Sequence, residues 1–149
     1  MITNKEIETF LSLFQKAPNT TVLNIDHQCP EIKEALFDFT EKINGKLTYK
    51  EFNSIDLDKF KLVARDFEYV VVTDCLNEIE DIDKFIKVIY HSLENSANAI
   101  LISHKNKNSL QFMVEVLDRN DFRATNSIDI FNDYDLVVAK KMHMWGNGL

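Results

Sequence analysis

The chain has 149 residues, 45% hydrophobic and 28% charged, which fits one globular domain with a sizeable core and gives no indication of disorder. Its net charge of −7 argues against nucleic acid as a partner, because duplex binding needs a basic face that displaces counterions. No apolar run approaches the roughly 20 residues that span a bilayer, so no membrane partner is expected.

The first segment, MITNKEIETFLSLF, has acidic residues and a helical period, unlike a secretory leader. Thr3 and Glu6 have capping-box spacing, and Ile7, Phe10, Leu11 and Phe14 follow on one face, so a helix is expected up to Pro18. Residues 21–26 (TVLNID) read as a short apolar strand. Pro30 suits the first position of a second helix with Ile32, Ala35, Leu36, Phe39 and Ile43 as its buried stripe, closed by Asn44-Gly45. KLTYKEF (46–52) alternates and is rich in β-formers, whereas 54–66 reads as either a short helix or an irregular segment. EYVVVTD (68–74) is the most apolar strand and reads as buried on both faces. Ile79, Ile82, Phe85, Ile86, Ile89, Tyr90 and Leu93 mark a long helix, NAILIS (98–103) another strand, and Leu110, Met113, Val114 and Leu117 the last helix. FRATNSIDIF and YDLVVAKKM flank Asn132-Asp133, which reads as a two-residue hairpin turn.

Strands and helices therefore alternate before a terminal hairpin. This predicts an α/β three-layer sandwich over one domain, residues 1–149, with right-handed crossovers and a mostly parallel, Rossmann-like sheet ending in an antiparallel hairpin. Residues 1–18 form its N-terminal helix and 142–149 its tail.

The segment FEYVVVTDCLNEIEDIDKFIKVIYHSLENSANAILIS resembles the class I S-adenosylmethionine-dependent methyltransferases. It is similar to their acidic strand-four phrase, the Leu-Glu-His-Ile that follows, a helix ending in Leu, a Pro-Gly-Gly turn and strand five. LQFMVEVLDRNDFRATNSIDIFNDYDLVVAKK resembles the last helix, the Gly-Phe entry to strand six and antiparallel strand seven. The resemblance covers most of the chain and implies that family's fold, shorter by one βα unit between residues 45 and 68. It also implies where a cofactor would bind. The family's first motif is an acidic residue followed by Gly-x-Gly-x-Gly. Here VLNIDHQCP places Asn24 at the acid and Asp26, Gln28 and Pro30 at the glycines. Those glycines let backbone approach the ligand with no Cβ in the way, so three side chains there narrow the site. Glu51 falls where the family's strand-two acid holds the ribose hydroxyls. Asp56 is the alternative, an acid following strand three, which would make strand two the missing one. ENSANA replaces Pro-Gly-Gly, and Asp121-Phe122 replaces Gly-Phe. TDCLN stands where base-amino methyltransferases carry Asn-Pro-Pro-Tyr, which disfavours that activity.

Ligands of open α/β sheets bind outside the carboxyl ends of the strands. The strand ends here carry Asp26, His27, Gln28 and Cys29, then Asp74, Cys75 and Asn77, then Ser103 and His104. A rebuilt S-adenosylmethionine pocket would use Asn24, Asp26, Gln28, Glu51, Asp56 and Asp74. A metal site or a Cys–His nucleophile pair could draw on Cys29, Cys75, His27 and His104, but no C-x-x-C or H-x-x-x-H spacing anchors either. The competing reading is that strand ends take polar residues because they are solvated, with Cys29 merely preceding a helix. HKNKN (104–108) reads as a solvated loop and His91 as a surface side chain. Two cysteines are too few for a disulfide framework, so reduced thiols and a cytoplasmic location are expected.

Met142, Met144 and Trp145 in the tail read as a frayed end or as a docking hook for a protein partner or a second copy. The leading functional expectation is a methyltransferase-like domain without its usual cofactor site, serving as a binding or assembly module with no cofactor. The alternative is an active methyltransferase with a glycine-free cofactor loop, binding S-adenosylmethionine and acting on a small molecule or protein. A cysteine-dependent hydrolase or redox protein is a third reading.

Overall fold

The strand β1 (Thr21–Asp26) lies at the centre of the parallel part of the sheet. The computed structural model describes residues 1–52 and 60–142. Five of the six residues of β1 are buried, and it pairs in parallel with β2 (Lys46–Glu51) on one side and β3 (Phe67–Thr73) on the other. β3 pairs in parallel with β4 (Leu93–His104), and β4 pairs antiparallel with β6 (Tyr134–Lys140), which pairs antiparallel with β5 (Arg123–Ser127). The six-stranded order is β2-β1-β3-β4-β6-β5.

The expected three layers follow from the pleat. Val22, Tyr69, Val71, Ile100 and Ile102 face α1 (Asn4–Leu11) and α2 (Pro30–Lys42), whose Phe10, Ile32, Leu36 and Phe39 complete that core. Leu23, Ile25, Val70, Val72 and Leu101 face α3 (Ile82–Ser92) and α4 (Leu110–Asp118), meeting Phe85, Ile89, Met113 and Leu117. Val70, Val71 and Val72 are completely buried, which explains the unbroken apolar run, and each contributes about 1.5–3 kcal/mol by leaving water.

Lys46–Glu51 occupies the place beside β1, in register Thr21↔Lys46 to Asp26↔Glu51. In a doubly wound sheet that is the place of strand two. The reading in which strand two is missing is therefore corrected: among the described residues the absent unit is the one that would lie beyond β2, and β2 ends the sheet.

Four local expectations also change. α1 stops at Leu11 and not at Pro18; Phe14 then folds back onto Phe10, Phe39 and Tyr69, with Tyr69 4.6 Å away between centroids. α3 starts at Ile82, since the Asp81 side chain accepts the Lys84 N–H as N-cap, and Ile79 ends a short 3₁₀ turn, Leu76–Glu78. β4 begins at Leu93, five residues earlier than expected, because Leu93 pairs with Phe67 and the Ser96 N–H reaches the Lys141 carbonyl. Asn132-Asp133 is not a two-residue turn. β5 ends at Ser127, and the longer connection tucks Phe131 against Phe10 while Asn132 and Asp133 hold Glu6 and the terminal amine.

At the end of α2, Asn44 of the expected Asn44-Gly45 closure takes the left-handed conformation (φ 53°). Gly45 is needed for a different reason, since a Cβ there would lie 2.5 Å from the Thr20 carbonyl oxygen. No helix of the described residues is long and apolar enough to cross a membrane.

Candidate functional site

The carboxyl ends of β1, β2, β3 and β4 point the same way, and strand order reverses between β1 and β3, where open α/β sheets bind ligands. β1 delivers Asp26 to that point. Its carboxylate is buried and sits beneath the start of α2, where it accepts the Cys29 N–H at 3.2 Å and 3.3 Å. It also accepts the Tyr49 hydroxyl at 2.9 Å from β2 and the Thr73 hydroxyl from β3. One side chain thus joins three adjacent strands and a helix N-terminus. Burial first, and then the hydrogen bond to Asp26, push the Tyr49 phenol up to about 12.

His27 lies across the crevice next to it. Its N–H donates to the Thr73 carbonyl, Nδ1 lies 3.1 Å from the Phe52 carbonyl beyond β2, and Nε2 lies 3.4 Å from Glu78 in the turn after β3. Gln28 is exposed and left-handed (φ 55°), the conformation glycine favours, so the turn is made with a side chain present. Pro30 is the first residue of α2. Asn24 does not reach this end: it is wholly buried within the sheet, donating from Nδ2 to the Val71 carbonyl, and its Oδ1 has no partner among the described residues. Glu51 is exposed, opposite Asp26 in register. Asp56 lies outside the described residues.

Asp74 forms a second cluster after β3. It is left-handed (φ 57°), held by its N–H to the Ile102 carbonyl, and its carboxylate is buried. It accepts the His104 N–H at 3.1 Å, His104 Nδ1 at 2.8 Å and Lys107 Nζ at 3.0 Å. The His104 ring rests on Tyr134, centroids 4.2 Å apart. HKNKN is a solvated loop as expected, exposed at Lys105, Asn106 and Lys107, and it is also anchored, because His104 and Lys107 hold a buried carboxylate and Asn108 donates to Ser103. A buried anion draws such partners from a basic loop because leaving it unpaired is costly.

The cysteine readings do not survive the geometry. Cys29 and Cys75 are both buried and free, and burial pushes the Cys29 thiol up to about 11 and the Cys75 thiol further. Both thiols are protonated near neutral pH, the opposite of an activated nucleophile. Among the described residues no group of three or more His, Cys, Asp and Glu side chains could hold a metal ion. In the tail, Met142 is exposed, and Met144 and Trp145 lie outside the described residues.

Sequence reasoning missed Tyr49, Thr73 and Lys107. Tyr49 had one usable signal, since it lies two residues before Glu51 and therefore on the same face of β2.

No protein-family model matches the chain, and no curated protein is significantly similar to it. Solved structures are. A S-adenosylmethionine-dependent methyltransferase from Aquifex aeolicus aligns with a TM-score of 0.70 at 13% identity, covering 91% of this chain and 89% of that one. Haemonchus contortus phosphoethanolamine N-methyltransferase 2, solved with S-adenosyl-L-methionine, aligns at 0.71 and 11% identity over 94% of this chain, which spans 53% of that protein. A chain of the Haloferax volcanii complex containing the Trm112 methyltransferase activator aligns at 0.69 and 10% identity, covering 93% and 90%. These likenesses, with the strand order, establish that the chain has the Rossmann-like fold of the class I S-adenosylmethionine-dependent methyltransferases.

Proposed function

We propose that this methyltransferase-fold domain does not carry the usual S-adenosylmethionine site and works as a non-catalytic binding or assembly module. The observation that supports this reading is the Asp26 carboxylate. It takes the start of α2 for itself, and its acceptors are occupied by Cys29, Tyr49 and Thr73. A helix N-terminus attracts an anion because its N–H groups lack partners, and here the anion comes from the chain. A ligand carboxylate arriving at the same junction would meet the charge of Asp26, the Cβ of Gln28 and the ring of His27. The residues present fit a closed junction better than a cofactor cradle.

The assembly side of the reading has support in a fold neighbour solved as a complex with an activator protein. The alternative, an active methyltransferase with a glycine-free loop and with Glu51 or Asp56 near the ribose or adenine and Asp74 facing the reaction, draws support from a neighbour solved with S-adenosyl-L-methionine. Calorimetric titration with S-adenosylmethionine and S-adenosylhomocysteine separates the two. The proposal expects no saturable heat; a dissociation constant below about 100 μM, some 5.5 kcal/mol of affinity, would overturn it.

A further inference from the structure

Among the described residues no strand pairs with the outer side of β2. Lys46 and Phe52 turn their N–H groups to β1, reaching the Thr20 and Asp26 carbonyls, so the alternate residues Leu47, Tyr49 and Glu51 turn theirs away. Among the described residues those outward groups have no protein partner. Next to this edge, between β2 and α2, runs a groove of about 700 Å³ lined by Lys33, Phe37, Glu41, Leu47 and Tyr49 among others. Phe37 is 53% exposed, the only phenylalanine among the exposed large hydrophobic residues of the described chain. An open edge beside an apolar groove invites strand addition, with backbone supplying affinity and the groove taking side chains.

We propose that the occupant is a second copy of this chain, joined edge to edge through β2 about a two-fold axis perpendicular to the sheet. This deepens the assembly reading above by naming the partner. The axis keeps each face on its own side, so α2 packs against the partner's α2. Strands lie about 4.8 Å apart, and α2 sits over β1 and β2, which puts the two helices roughly 10 Å apart, at packing distance. With Phe37 on the axis, antiparallel α2 helices bring Lys33 opposite the partner's Glu41, and by symmetry Glu41 opposite the partner's Lys33. The same axis through Tyr49 pairs Leu47 with the partner's Glu51 and satisfies every outward backbone group of the three residues. Shifting the register to centre on Thr48 would set Lys46 against the partner's Lys50, a like-charge pair that disfavours it. Charge, shape and register agree on one arrangement.

Light scattering on the full chain across concentrations tests it. The proposal expects twice the chain mass. Phe37→Asp should give monomer, and Lys33→Glu should weaken the dimer roughly tenfold or more by setting two glutamates face to face twice. Lys33→Glu with Glu41→Lys should restore it, which a misfolded variant would not do. A monomer at every concentration, a dimer indifferent to Phe37→Asp, or a double variant no better than Lys33→Glu would each overturn the proposal. So would a dimer lost only on deleting residues 142–149, which would assign the contact to the tail. The mass readout is independent of the cofactor titration, so either can fail alone.

Discussion

Replacing Asp26 by alanine removes the acceptor at which β1, β2, β3 and α2 meet. A hydrogen bond to a charged acceptor is worth about 1.5–3 kcal/mol, but the three losses are unequal. The Thr73 hydroxyl keeps the Ile25 carbonyl at 3.4 Å, and the half-buried Tyr49 hydroxyl can turn to water. The Cys29 N–H is left buried. Relief from holding a carboxylate out of water offsets part of the loss. The net cost is about 3 kcal/mol, which for a chain of this size lowers Tm by roughly 6–12 °C. Asp26→Asn keeps one acceptor oxygen and should lose about half as much. The assay is urea and thermal unfolding followed by circular dichroism. An Asp26→Ala variant within about 0.5 kcal/mol of the parent would refute the reasoning, since it would mean the carboxylate is solvated and the junction open. Tyr49 supplies a pH check. Its phenol ionises at about 12 when folded, against 10.0 ordinarily, so the unfolded chain gives up that proton first. The stability Tyr49 adds is complete below pH 10 and is lost as pH rises towards about 12; Tyr49→Phe should remove that slope.

Two further predictions rest on other contacts. Gly45→Ala should destabilise the fold by about 2 kcal/mol or more in urea titrations, because the new Cβ meets the backbone oxygen of Thr20 at 2.5 Å and backbone cannot step aside; an unchanged midpoint would contradict the close approach. Cys29 and Cys75 should resist iodoacetamide in the native chain at pH 7.5 and react only after unfolding, and labelling of either within minutes would contradict their burial.

The parts of the fold that were legible in sequence are those set by local pattern. The Val70–Val72 run announces a strand buried on both faces, Pro30 fixes the start of α2, and the spacing of Phe85, Ile86 and Ile89 fixes the buried face of α3. What sequence did not show depends on distant partners. Leu93 continues the helical spacing and Glu94–Ser96 is polar, yet Leu93–Ala97 joins β4 because Phe67 and Lys141 offer it backbone bonds. Asn132-Asp133 has the composition of a tight turn, but Phe131 is drawn into the core and the turn opens. The same division holds at the site. The absence of glycine around Asp26 and Gln28 was visible in the sequence. That Tyr49 and Thr73 would complete the coordination of Asp26 was not, because hydroxyls from two other strands meet there only through sheet register. Lys107 was hidden in a loop of ordinary polar composition for the same reason.

The central claim is that the strand-to-helix junction after β1 is closed by its own residues. Its most direct test is isothermal calorimetry of the wild-type chain with S-adenosylmethionine. No binding isotherm is expected with ligand carried past about 100 μM, and a one-to-one isotherm tighter than that would contradict a closed junction.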